Sequence, residues 1–407
     1  MQITLQKSEV AKRSSVQITG SKSESNRLLL LKALYPVFSL KNVSNSDDSN
    51  LMTHALNTDA EVVDIHHAGT AMRFLTAFFS IQEGREAVLT GSKRMKERPI
   101  LILVDALKEL GADISYVENE GYPPIRIKGK KLSKHKVSLK ANVSSQYISA
   151  LLLIASKLDN GIELTLEGEI TSVPYIKMTL SLLDEIGVKT SFNENVITVK
   201  SNSENLEPKA LVVESDWSSA SYYFSIAALS DVGTEITLTS YKENSLQGDS
   251  ALVEIYKHFG VRTTFNSNAV TLTKEATDVE HLNLDLKNAP DIAQTIAVTC
   301  FALGVSCDLI GLHTLKIKET DRLVALKTEI EKLGGEVNIT DKSLHLKTSS
   351  NIKEFVSIAT YNDHRMAMAF APLALKVPIV IEDALVVSKS YPAFWDDLKS
   401  IGFKLSE

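Results

Sequence analysis

The chain is short of cysteine, of long apolar runs and of positive charge, and each shortage removes a class of protein. Among 407 residues only Cys300 and Cys307 are cysteines. They stand in or beside an apolar stretch, which is neither a disulfide framework nor a zinc spacing. The longest apolar stretch, 292–305, is too short to cross a bilayer and carries Gln294 and Thr295, so it reads as a buried helix. A net charge of −6 argues against a non-specific nucleic-acid binder. Residues 1–10 alternate like a strand and have no secretory pattern. What remains is a cytoplasmic protein of a reducing compartment, with neither membrane nor nucleic acid as partner.

The composition is that of a soluble globular protein, with 44% apolar and 23% charged residues. The length exceeds one simple core, and two domains are expected. An internal repeat organises them. A helix ends at a glycine and an alternating strand follows, at Gly111, Gly187, Gly260 and Gly334, with a cut-short copy at Gly402. Successive glycines lie 76, 73, 74 and 68 residues apart. Each is the expected left-handed helix cap. After three of these strands a turn leads to a second one, at 124–128, 196–199 and 269–272. The unit therefore reads as helix, strand, hairpin, strand. A weaker copy ends its helix at Asn57, read as a left-handed cap, and this first unit is abridged.

Units of this length do not form a solenoid. About six of them predict two lobes of three, each of mixed sheets and helices. Crossings fall near 12–22 and 214–218. The first lobe then takes 21–213, and the second takes 1–20 together with 214–407. Two connections make a hinge between lobes.

The chemistry concentrates at predicted helix starts. Gly20-Ser21-Lys22-Ser23-Glu24-Ser25-Asn26-Arg27 leads into four leucines. This puts a lysine, hydroxyls and an arginine around free N–H groups, which suits an anion. A capped surface helix with ordinary basic residues reads that stretch as well. His67 to Arg73, Val143 to Gln146, Lys316 to Arg322 and Tyr361 to Arg365 repeat the pattern, and Arg94 to Pro99 and Ser388 to Ser390 add basic loops. Arg73, Arg322 and Arg365 sit in first turns, where a cation opposes the helix dipole. A bound anion reverses that penalty, and arginine binds carboxylate or phosphate in a bidentate fork.

Read together, Gly-Ser-Lys-Ser-x-Ser-Asn-Arg, Ala-Gly-Thr-Ala-Met-Arg, Arg-Met-Lys-Glu-Arg-Pro-Ile, Ser-Ser-Gln, Lys-Glu-Thr-Asp-Arg and Tyr-Asn-Asp-His-Arg-Met-Ala-Met resemble the signatures of the 5-enolpyruvylshikimate-3-phosphate synthase family. They fall in the family's order from Gly20 to Lys389. The resemblance implies an α/β fold, a two-lobed inverted α/β barrel-like architecture in which each lobe holds three βαβαββ-type units. It places the active site in the cleft between lobes. It implies transfer of the enolpyruvyl group of phosphoenolpyruvate to the 5-hydroxyl of shikimate 3-phosphate, with release of phosphate, in the shikimate pathway to chorismate and aromatic amino acids. It implies no cofactor and no metal, and a monomer.

By the same resemblance, shikimate 3-phosphate falls to Lys22, Ser23, Arg27, Ser144, Ser145, Gln146, Ser172, Tyr175, Asp291 and Lys318. Phosphoenolpyruvate falls to Lys22, Gly69, Arg98, Gln146, Arg322, Arg365 and Lys389. The reaction is addition followed by elimination. Asp291, Glu319 and Lys22 match the family's acid–base groups, with Asp291 near the hydroxyl and Glu319 at C3 of phosphoenolpyruvate. Without the resemblance, Asp291 reads as a helix cap, Glu319 as a solvated charge, and Ser172 and Tyr175 as turn residues beside Pro174. The chain departs from the family where His67 replaces a usual Asn, Phe74 a usual Pro and Thr314 a common Asn, and in its abridged first unit. Two rivals stand beside this reading. One is the sister enolpyruvyl transferase acting on UDP-N-acetylglucosamine, whose lid-loop cysteine is missing from 93–98. The other is a non-catalytic anion-binding paralogue.

Overall fold

The computed structural model describes residues 1–140, 144–168, 170, 173–202 and 206–406. They form two compact units: residues 20–213, and residues 1–19 together with 214–407. Each unit has its own buried apolar cluster.

Within residues 20–213 the repeat is plain. Strand Val62–Asp64, helix Gly69–Ser80, strand Glu86–Thr90, helix Leu101–Leu110 and the hairpin strands Asp113–Tyr116 and Ile125–Lys128 follow one another. The strands flanking the first helix pair in parallel, and the hairpin adds two antiparallel strands at one edge. The same wiring returns with Lys136–Lys140, Ile162–Glu167, Thr190–Asn193 and Val196–Val199. The abridged copy is a two-stranded parallel sheet, Ser39–Lys41 beside Ala210–Val212, with no hairpin among the described residues.

The other unit holds three four-stranded sheets. Arg13–Val16 runs parallel to Glu235–Thr239, which is followed by the hairpin Val261–Asn266 and Ala269–Lys274. His281–Asp285 and Ser306–Ile310 begin the next sheet. The last pairs Val356–Ile358 with Ile379–Ile381, and its antiparallel strands are Ile3–Leu5 and Leu405–Ser406, from the two ends of the chain.

The repeat glycines Gly111, Gly187, Gly260, Gly334 and Gly402 all have positive φ, between 69° and 120°. At Gly111, φ +109° stops helix Leu101–Leu110 and turns the chain into the hairpin, a conformation that costs a side-chain-bearing residue more. Asn57 departs from that pattern. It caps its helix at φ −111°, outside the left-handed region, because no hairpin strand follows that has to be aimed.

Helices Gly69–Ser80 and Trp217–Leu229 are buried on every face. Neither therefore carries a charged solvent stripe: Arg73 is the one charged residue in the pair, and their other polar side chains are small hydroxyls and tyrosines. Helix Ala293–Leu303 is buried from Ala293 to Ala302 and ends at Gly304, φ +71°. Gly69–Ser80 packs on Ser145–Ala155, and Ala293–Leu303 packs between Trp217–Leu229 and His364–Phe370. Most of the polar motifs therefore lie at the starts of interior helices, where the apolar pattern breaks.

Candidate active site

The residues singled out by sequence divide between the two units, and each unit gathers its own set. In residues 20–213, Ser21 caps helix Lys22–Leu34 without a side-chain bond, which leaves the first turn open. Lys22 Nζ lies 3.6 Å from Asp48 Oδ2, and His67 Nε2 lies 3.7 Å from Asp48 Oδ1. The buried Asp48 therefore faces both the candidate acid–base lysine and the residue that departs from the family. His67 and His66 share a 2.8 Å contact between their Nδ1 atoms.

Arg27 is built into the protein. It donates to Thr179 Oγ1 at 2.8 Å, Ser23 O at 2.7 Å, Ser149 Oγ at 3.0 Å and Tyr175 O at 3.4 Å. Burial pushes it down to about 10, against the pull of Tyr175 and Glu24. These bonds engage all but one of the guanidinium N–H groups, so Arg27 orients Ser23 and Tyr175 as much as it offers a charge. Phe74 lies under it, 5.4 Å from guanidinium carbon to ring centroid. The departure from proline thus supplies a cation–π contact.

Gly69 opens its helix, and the Arg98 guanidinium occupies the space a side chain there would fill. Arg73, expected to await an anion, is committed elsewhere. It donates to Gly69 O at 3.1 Å and Pro99 O at 3.2 Å, so it ties the helix start to the loop that carries Arg98. Burial and the neighbouring Arg98 push it down to about 10. Gln146 donates to Thr70 Oγ1 at 3.1 Å, and the Ser144 hydroxyl accepts from the Gln146 amide at 3.4 Å as a helix cap. Ser145 is buried at the first position of that helix. Ser172 lies outside the described residues.

The second unit gathers a denser set. Asp291 is not a helix cap: its carboxylate faces Lys318 Nζ at 3.3 Å, Arg322 Nη1 at 2.8 Å and Arg365 Nη2 at 3.5 Å. Burial alone would push this carboxyl up, but Lys318, Arg365 and Arg322 hold it well below the usual aspartate range. Arg322, 1% exposed, donates to Asp363 at 2.7 Å and to Glu319 at 2.8 Å besides Asp291. Burial would lower it; Asp363, Glu319 and Asp291 raise it above its ordinary value. Asp363 also caps helix His364–Phe370 by accepting from the Arg365 amide at 2.9 Å. Lys389 donates to Asn362 O at 2.7 Å and Oδ1 at 2.8 Å, next to that cap. The Thr314 hydroxyl is buried without a hydrogen-bond partner among the described residues.

Sequence reasoning missed Asp48, Ser149, Thr179, Ser218, Asp249 and Asp363. Asp363 was within reach, because it stands inside the motif that supplied Arg365. The others are polar residues on buried helices or turns, with no local pattern to mark them. Among the described residues no group of three or more His, Cys, Asp or Glu is arranged to hold a metal ion.

This fold is that of the enolpyruvyl transferases. It matches the solved EPSP synthase of Acinetobacter baumannii with a TM-score of 0.84, at 20% identity and over 100% of both chains. It matches the enolpyruvyl transferase NikO of Streptomyces tendae with a TM-score of 0.76, at 13% identity, over 100% of this chain and 98% of that one. The sequence narrows the class: residues 56–398 match the family described as EPSP synthase (3-phosphoshikimate 1-carboxyvinyltransferase), and the chain belongs to that family. A 3-phosphoshikimate 1-carboxyvinyltransferase of Bacteroides fragilis (strain ATCC 25285) is 46% identical over 395 residues, covering 96% of each chain. One of Haemophilus influenzae (strain PittEE) is 35% identical over 419 aligned positions, covering 95% of this chain and 96% of its own.

Proposed function

We propose that these clusters bind the phosphorylated substrates and that Asp291, Glu319 and Lys22 carry the proton transfers. Membership of the family assigns the reaction. The enolpyruvyl group of phosphoenolpyruvate passes to the 5-hydroxyl of shikimate 3-phosphate and phosphate leaves, in the shikimate pathway. Both substrates are phosphorylated carboxylates, so binding them requires many cations and open helix starts. Lys22, Arg98, Lys318, Arg322, Arg365 and Lys389 are the cations proposed here. Ser23, Arg27, Ser144, Ser145, Gln146, Ser172 and Tyr175 take the shikimate ring and its phosphate. Gly69 gives phosphoenolpyruvate a close backbone approach.

The observation that carries this reading is the caged carboxylate. Surrounded by Lys318, Arg322 and Arg365, Asp291 is a poor base in the empty site, because its anion is too well stabilised. Phosphoenolpyruvate on Arg365 and shikimate 3-phosphate on Lys318 neutralise those cations and restore basicity next to the 5-hydroxyl. Glu319 is anchored on Arg322 Nη2 at 2.8 Å with 32% of its side chain exposed, which leaves it able to exchange a proton with C3. The two proton transfers are thereby divided between carboxylates of different environments. We also place the reaction in the cytoplasm. No described helix is long and apolar enough to cross a membrane.

Phosphate release from phosphoenolpyruvate tests the reading. Release that depends on shikimate 3-phosphate supports it. Dependence on a nucleotide sugar, or no release with either acceptor, overturns it.

A further inference from the structure

Asp249 is a buried carboxylate that the reaction, as laid out above, does not use. It sits in the short turn Gly248–Ala251 and is 4% exposed. The Ser218 hydroxyl donates to Asp249 Oδ2, and Ser218 Oγ accepts from Arg365 Nη2 at 3.2 Å. The same Arg365 nitrogen lies 3.5 Å from Asp291. Arg365 therefore touches one carboxylate directly and a second through a single hydroxyl. Among the described residues, the other charged and titratable groups around this relay include Asp216, at the cap of helix Trp217–Leu229, Tyr222 on that helix beside Arg365, Lys318 and Arg322 on Asp291, and Asp363 on Arg322. Glu254, on the turn that follows Asp249, is exposed and paired with Lys257.

We propose that Asp249, acting through Ser218, is a positioning residue for Arg365, and that an anion arriving at Arg365 is accompanied by a proton on Asp249. The inference rests on the assignment of Arg365 to phosphoenolpyruvate. Its physical basis is competition for one cation. An ionised Asp249 shares the positive charge that the incoming phosphate or carboxylate needs. An anion on Arg365 in turn removes the field that keeps Asp249 charged. Burial, with Asp291 nearby, already pushes Asp249 up to about 6, against the pull of Arg365 and Ser218. The exchange therefore falls in the working range of a cytoplasmic enzyme.

Asp249→Asn keeps an acceptor for the Ser218 hydroxyl and mimics the neutral acid. The measurement is kcat/KM for phosphoenolpyruvate at saturating shikimate 3-phosphate, from about pH 5 to about pH 8. The ratio of variant to wild type cancels the titration of the substrates themselves. The ratio is expected near unity at the acid end and to rise to roughly fivefold in favour of the variant at the alkaline end, through KM rather than kcat. Damage to the fold would lower the variant evenly across pH, so a flat or falling ratio overturns the proposal. Ser218→Ala supplies the second arm: without the hydroxyl Asp249 keeps its proton longer, and the bend moves up by about one pH unit. A bend left in place overturns the relay. Arg365→Ala with an unaltered KM for phosphoenolpyruvate overturns the assignment of Arg365 and the relay with it. A raised KM in that variant beside a flat Asp249→Asn ratio overturns the relay alone.

Discussion

Gly69 and Arg98 compete for one space: a Cβ on Gly69 would stand 2.5 Å from Arg98 Nη1 and 3.1 Å from its guanidinium carbon. Gly69 does not have positive φ, and alanine favours a helix more than glycine does. Gly69→Ala is therefore expected to leave stability unchanged or slightly higher while displacing the Arg98 head. The KM for phosphoenolpyruvate should rise by roughly tenfold or more, equivalent to a weakened charge-assisted bond of about 1.5–3 kcal/mol. Shikimate 3-phosphate should bind as before. Steady-state kinetics with each substrate varied checks this, and equal losses for both would assign Arg98 to the wrong side.

Asp291→Asn and Glu319→Gln preserve shape but cannot accept a proton. Each should retain substrate binding and lose about 10²–10⁴ in kcat. Calorimetric titration of shikimate 3-phosphate beside turnover measurements separates the two effects. Wild-type turnover in either variant removes that residue from the chemistry.

The caged Asp291 also makes a prediction about acid stability. Its folded-state value is depressed well below 3.8, so its contribution is fully present above the unfolded-state value and disappears as pH falls through the folded one. Unfolding free energy measured in denaturant should show wild type ahead of Asp291→Asn by roughly 2–4 kcal/mol near neutrality. The gap should close on acidification below about pH 4. A gap that persists at acid pH would mean that the loss comes from packing.

Arg73 binds no ligand in this reading, yet its removal should reach the site. Arg73→Ala leaves Gly69 O and Pro99 O without their donor and opens a void, which should cost about 2–4 kcal/mol in denaturant unfolding. The KM for phosphoenolpyruvate should rise as well, because the tie between the Gly69 helix start and the Arg98 loop is lost. A stability loss without any change in KM would show that the loop holds its place unaided.

The repeat was legible because it is written locally: a glycine with positive φ and an alternating strand recur at Gly111, Gly187, Gly260 and Gly334. Asn57 misled because asparagine tolerates two conformations, and nothing nearby told which the chain uses. The cations were legible as motifs, but their roles were not. Arg73 and Arg365 look alike in sequence, each in a first turn before an apolar run. Arg73 turns onto backbone carbonyls and Arg365 onto Asp291 and Ser218. That choice depends on what the rest of the fold brings near, Pro99 in one case and Ser218 in the other. The same holds for Asp291, whose partners Lys318, Arg322 and Arg365 are 27, 31 and 74 residues away.

Gly20 and Val213 bring the two ends of one unit together. A Cβ on Gly20 would stand 2.7 Å from Val213 Cγ1, and Asn42 Nδ2 donates to Val213 O at 2.9 Å. In the other unit the cut ends are also neighbours, with the Asp216 amide donating to Thr19 O at 3.3 Å and Ser215 Oγ to Ile18 O at 2.5 Å. Residues 20–213 are therefore a cassette spliced into a host whose seam is already closed. Either part should tolerate rejoining by a short linker, and the cassette should accept circular permutation at an exposed turn, read out as retained cooperative unfolding.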